Sequence, residues 1–148
     1  MATAASRTSV PRDLALLLVR IVLGTIFLAH GAQKIWTWGL GATSEAFAGM
    51  GVPVPELAAP VVAILELAGG AALILGLLTP WAALLLAIDM LVAAVLVHAP
   101  HGVFVDAGGW ELVGALGAGA LALVAVGAGR ISLDHALLGR RRGRRSAA

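Results

Sequence analysis

One apolar stretch, from about Leu14 to Ile35, limits this chain more than any other feature: about 20 such residues are what an α-helix needs to cross roughly 30 Å of hydrocarbon. Within it stand Arg20, His30 and Lys34. An unpaired charge near the bilayer centre costs at least about 2.5 to 3.5 kcal/mol, so these basic groups need partners on other helices. At about 100° per residue, with Arg20 as zero, Gly24 falls near +40°, Phe27 near −20°, His30 near −80°, Gly31 near +20° and Lys34 near −40°. One face carries all the polar groups and two glycines, and small residues let neighbouring membrane helices come close. That face is expected to look into a bundle.

The remaining sequence supplies the bundle. With 60% of its 148 residues hydrophobic and 12% charged, the chain has no stretch left for a separate soluble domain. The expected fold class is all-α, a membrane-embedded four-helix bundle with spans at about 14–35, 57–78, 81–98 and 110–127. Residues 1–12 read as an N-terminal lead, 13–135 as the membrane domain and 136–148 as a basic tail. The first span is too long for a signal-peptide core and His30 and Lys34 follow with no clear cleavage site, so it is read as retained. Four spans leave both termini on one side of the membrane. Arg7 and Arg12, with Arg140, Arg141, Arg142, Arg144 and Arg145, mark that side as cytoplasmic. The tail reads as a topology signal that also touches anionic lipid, not as a nucleic-acid site.

Between the spans, Ser44-Glu45-Ala46-Phe47 is expected to start a short interfacial helix that Gly51 and Pro53 stop. Thr79-Pro80 turns the second span into the third as an antiparallel hairpin. In the last span Gly114, Ala115, Ala118, Ala122, Ala125 and Gly129 lie within about 60° of Glu111, a stripe read as a tight packing face. Ser132 is placed to cap a short final helix.

The ionisable groups fall into two sets. Arg20, Glu66 and Asp89 lie deep and are expected to form a buried charge network. His30, Lys34, Glu66, His98 and Glu111 are expected to line a polar pocket toward the outer leaflet. Asp89 and His98 are nine residues apart, about 180° on a straight helix, so either His98 turns inward at a frayed end or the two serve different contacts. A haem held by His30 and His98 lacks a second, more complete histidine pair, and a metal set of His30, His98, His101 and Glu111 depends on loop geometry for two ligands, so no metal site is assigned. Hydrogen bonding or proton exchange with a quinone-like ring suits imidazole and carboxyl groups better. Cysteine is absent, which excludes disulfide and thiol chemistry by this chain alone.

Taken in order, Arg20-x-x-x-Gly24-x-x-Phe27-x-x-His30-Gly31-x-x-Lys34, Met50-Gly51-Val-Pro53-x-Pro55, Glu66-x-x-Gly69-Gly70-x-x-Leu73-x-x-Gly76-x-x-Thr79, Asp89-Met90 with His98, Gly109-x-Glu111 and Gly127-x-Gly129-Arg130-x-Ser132-Leu133-Asp134 resemble the DoxX family of small four-helix membrane proteins. The resemblance runs from about Leu14 to His135. It implies a multi-pass protein of the plasma (inner) membrane, and relatives linked to quinone-coupled redox complexes with sulfur-handling or oxidative-stress partners. The expected function is a membrane anchor or quinone-side subunit of a redox assembly, an oxidoreductase subunit rather than a stand-alone enzyme, with a quinone as the candidate cofactor. The expected partners are the lipid bilayer, a redox protein and a second copy of the chain, with no nucleic acid. Two alternatives compete: a small-molecule or proton transporter, and a non-catalytic structural or assembly protein.

Overall fold

The computed structural model describes residues 9–137, so the Arg140 to Arg145 tail lies outside the described residues. Among the described residues the regular structure is helical throughout. The helices are α1 (Ser9–Ala32), α2 (Leu40–Gly49), α3 (Pro55–Leu75), α4 (Thr79–Ala93) and α5 (Glu111–Val126). Single π-helical turns, Gln33–Thr37 and Ala94–His98, extend α1 and α4, and residues 133–137 form a last helical turn. With these extensions, Val10–Thr37, Pro55–Leu75 and Thr79–His101 are long and apolar enough to cross a membrane. The fourth apolar helix, α5, has 16 residues, about 24 Å of rise, and stops where Gly127 takes φ +75°. Helix α1 packs on α3, α3 on α4 and α4 on α5, and α5 also meets α1, which closes the ring.

The inward face of α1 is the one its periodicity marks: Arg20, Leu23, Gly24, Phe27, Gly31 and Lys34 are all buried. Its glycines set the spacing. A Cβ on Gly31 would lie 2.5 Å from Leu67 N, and one on Gly70 2.5 Å from Leu28 N, so α1 and α3 touch backbone to backbone. Helix α5 corrects the sequence reading. Its buried residues are Val113, Leu116, Ala120 and Leu123, while Ala115, Ala118, Ala122 and Ala125 face outward. Lipid is as apolar as leucine, so hydrophobicity cannot choose the inward face, and fit decides it. Leu23 of α1 and Met90 of α4 press against Gly119 and Gly117.

The boundaries shift for local reasons. Helix α1 starts at Ser9, within the stretch expected to be a lead, and α2 starts at Leu40, before Ser44. Gly39, at φ +82°, begins the α2 turn, and its carbonyl accepts from both Thr43 N (3.0 Å) and the Thr43 hydroxyl (2.9 Å).

At the end of the bundle where α1 begins, the segment after α5 folds under the α3–α4 hairpin. Asp134 Oδ1 accepts from Leu78 N (2.7 Å) and Oδ2 from Thr79 N (2.9 Å), while Asp134 N donates to Gly76 O (2.8 Å). A carboxylate thereby caps α4 from 55 residues away, meeting N–H groups that no intrahelical carbonyl reaches. It also holds Leu78 at φ +48°, a left-handed conformation that costs a non-glycine residue about 1–2 kcal/mol. On the α1 side Asp13 Oδ1 accepts from Arg130 N (3.0 Å). Ser132 caps the last turn, its Oγ accepting from His135 N (3.1 Å). Asp134→Ala is expected to lower stability by about 1–2 kcal/mol, the cost of losing a cap, with Asp134→Asn between it and the wild type. Thermal unfolding in detergent, followed by loss of helical circular dichroism, checks the order.

Candidate functional site

Arg20 is buried, yet it is not part of a cluster with Glu66 and Asp89. Its guanidinium donates to the carbonyls of Ala128 and Ile131 (2.9 Å to the latter) and lies against Gly76 at the end of α3. Gly76 is ten residues from Glu66, about 15 Å along α3, so Arg20 belongs to the terminal clasp. The depth expected for it assumed a helix that starts near Leu14. In the structure α1 starts at Ser9 and its first turns run on past the α3–α4 hairpin, so Arg20, eleven residues in, is level with Gly76 and the clasp instead.

The buried ion pair is formed by Lys34 and Glu66. Lys34 Nζ stands 2.5 Å from Glu66 Oε2, with side chains 11% and 6% exposed. The pair faces Asp89 across the bundle, and the Asp89 carboxylate is within electrostatic reach of both partners. Asp89 Oδ2 is buried with no hydrogen-bond partner. If all three groups are ionised, the cluster carries one negative charge in excess.

This cluster forms the deep end of a cavity of about 360 Å³ that opens toward the two long loops. Its walls are apolar: Phe27 and Met90 lie beside the charges, and Trp38, Phe47, Met50 and Val105 lie nearer the loops. Four of the five expected pocket residues, His30, Lys34, Glu66 and His98, line it, and so does Asp89. Glu111 does not. It opens α5 and turns back to the loop, where its Oε1 accepts from Val105 N (2.7 Å). His101 stays outside as well, its Nδ1 donating to Val97 O (2.9 Å). Among the described residues no three His, Cys, Asp or Glu side chains gather as metal ligands.

A π-helical turn explains how Asp89 and His98 reach one space. An extra residue in the Ala94–His98 turn rotates the following side chain back by about 100°, so Asp89 and His98 end about 80° apart rather than 180° and both line the cavity. The Gln33–Thr37 turn contains Lys34, which the α1 periodicity already places inward, and Thr43 of α2 satisfies the Lys34 carbonyl by donating its hydroxyl (3.2 Å). Neither turn had a signal in the sequence beyond the 180° conflict between Asp89 and His98.

The histidine orientation fixes which nitrogen is free. His30 Nδ1 bonds Ile26 O (2.9 Å) and His98 Nδ1 bonds Gly108 O (2.7 Å). A carbonyl can only accept, so Nδ1 carries the proton and Nε2 of the neutral ring is left as an acceptor and base.

The DoxX family pattern matches residues 15–99, which include most of α1, the Lys34–Glu66 pair and Asp89. The chain belongs to the DoxX family. The DoxX chain is 33% identical over 130 residues to "Inner membrane protein YphA" of Escherichia coli, an alignment covering 84% of this chain and 91% of that one. It is 33% identical over 125 residues to "Inner membrane protein YqjF" of the same organism, covering 84% and 93%. No solved structure matches. Apolar helices of spanning length and DoxX membership make this a multi-pass membrane protein.

Proposed function

We propose that this DoxX protein is a membrane anchor or quinone-side subunit of a redox assembly, and that its cavity holds the ring of a quinone-type molecule. The observation that carries the reading is the cavity: about 360 Å³, walled by apolar side chains, with ionisable groups at one end. Ligand sites for ring-sized molecules have this size and this division between apolar wall and few polar groups. Glu66, Asp89, His30 and His98 are the groups that would bond the ring oxygens or exchange protons with them, and an isoprenoid tail would leave through the apolar wall into lipid. With no cysteine the chain has no thiol redox chemistry of its own, and in this reading it works beside a redox protein rather than as a stand-alone enzyme.

The orientation in this reading puts both termini in the cytoplasm and the cavity toward the outer leaflet of the inner membrane, the membrane named for both relatives. Asp13 bonded to Arg130 agrees with termini at one end of the bundle. The outward alanine stripe of α5 is the face through which a second copy would pack. Purification in mild detergent with mass spectrometry of bound lipids and proteins tests the function: a quinone and a redox protein are expected with the chain, and recovery of neither would overturn the reading. One observation favours a transport reading as the alternative, namely that Asp89, midway along the Thr79–His101 span, has a buried Oδ2 with no hydrogen-bond partner. Flux into proteoliposomes that vanishes on Asp89→Asn, with no bound quinone, would select it.

A further inference from the structure

We infer that the ligand reaches the cavity sideways from the lipid, through a slot between α3 and α4 rimmed by Val62, Val92 and Leu96, and is therefore a lipid-dissolved ring that carries a tail; this rests on the proposed function. The slot follows from the way each side of α4 faces. Met90 packs against Gly117 of α5, and Leu86 against Gly69 of α3. At about 100° per residue, with Leu86 as zero, Met90 falls near +40°, Asp89 near −60° and Val92 near −120°. Val92 thus lies on the edge of α4 away from α5, on the side of its other neighbour, α3. It lines the cavity and is nonetheless 47% exposed, as is Leu96 at 43%. A side chain that both walls a cavity and meets the bilayer marks where the two join.

The α3–α4 seam is closed at one level and open at another. A Cβ on Gly69 would stand 3.0 Å from the Leu86 side chain, so the two helices touch there, and the turn at Thr79 joins them below. Val62 is two helical turns outward from Gly69, about 10 Å along the same face of α3, and at that level the cavity reaches the seam. Val92 and Leu96 line it from α4, three and seven residues beyond Asp89. All three rim residues are aliphatic, so a hydrocarbon tail crosses the rim without desolvating a polar group. At the seam between α5 and α1, Leu112 also lines the cavity and is 40% exposed, but there the His30 imidazole stands on the side of α1 away from the glycines that face α3. The mouth toward the loops opens at the membrane surface, where a tail would leave hydrocarbon for water.

The test is saturation binding of a decyl-tailed 1,4-benzoquinone, and of the same ring bearing only methyl groups, to the full chain in lipid nanodiscs, corrected for uptake by empty discs. The unaltered chain is expected to bind both. Val92→Trp fills the slot from a position that lipid already touches, and should weaken the tailed quinone about tenfold while leaving the tailless ring within about threefold. Leu96→Trp on the same rim should act alike, and Leu91→Trp, 62% exposed and outside the lining, should change neither. The slot is wrong if both rim variants bind the tailed quinone as the unaltered chain does, if they weaken both molecules equally, or if Leu112→Trp alone weakens the tailed one; in each case the quinone site itself stands. If neither molecule binds the unaltered chain, the quinone-site reading fails and the slot with it.

Discussion

Lys34→Met is expected to destabilise the bundle by about 3–5 kcal/mol, the usual cost of removing one partner of a buried ion pair. The effect should be larger than that of Glu66→Gln, and the reason lies in the third group. When Glu66 loses its charge, Lys34 can still be balanced by Asp89, which is within its electrostatic reach. When Lys34 goes, Glu66 and Asp89 are left facing each other without the ion-pair partner that separated them. Lys34→Met combined with Glu66→Leu should recover most of the loss, because apolar replacement of a whole buried pair is often neutral or stabilising. Unfolding in mixed detergent micelles across the four proteins checks the order. A Lys34→Met loss no greater than that of Glu66→Gln would show that Asp89 does not share the pair's charge.

Gly70→Ala comes next, with an expected loss of about 1–3 kcal/mol from overpacking. Helix propensity pulls the other way, since alanine is favoured over glycine in a helix interior by about 1 kcal/mol. Sterics win here because the new Cβ would sit 2.5 Å from Leu28 N and 2.6 Å from Gly24 O, both main-chain atoms that cannot rotate away. Helices α1 and α3 would have to separate, and with them Lys34 and Glu66. Gly41→Ala in α2, with nothing within 4 Å of its Cβ, is the matched control and should be neutral or slightly stabilising. Equal unfolding curves for the Gly70 variant and the wild type would contradict the close α1–α3 seam.

The spans and the inward face of α1 were legible because a charge in an apolar run is a strong constraint. Arg20, Gly24, Phe27, Gly31 and Lys34 could share one buried face only on a helix packed in a bundle. The partner of each charge was less legible. Arg20 pairs with main-chain carbonyls of the 127–131 segment, whose path no periodicity reveals, and its level is set by how far α1 runs past the α3–α4 hairpin. The small-residue face of α5 misled because both of its faces are apolar and shape alone selects between them. Glu111, at a helix start, was as free to turn back to its loop as to enter the pocket. Asp89 and His98 met through a π-turn that only the conflict in their spacing hinted at.

The cavity between the loops and the Lys34–Glu66–Asp89 cluster is the centre of this account, and photoaffinity labelling tests it most directly. Membranes containing the full chain would be irradiated with a photoreactive benzoquinone analogue and the labelled positions mapped by peptide mass spectrometry. Labels concentrated on Trp38, Phe47, Met50 and Val97, and displaced by an excess of unlabelled quinone, are the predicted result. Labels spread instead over the outward residues Leu57, Ile64 and Leu91, unchanged by competitor, would contradict it.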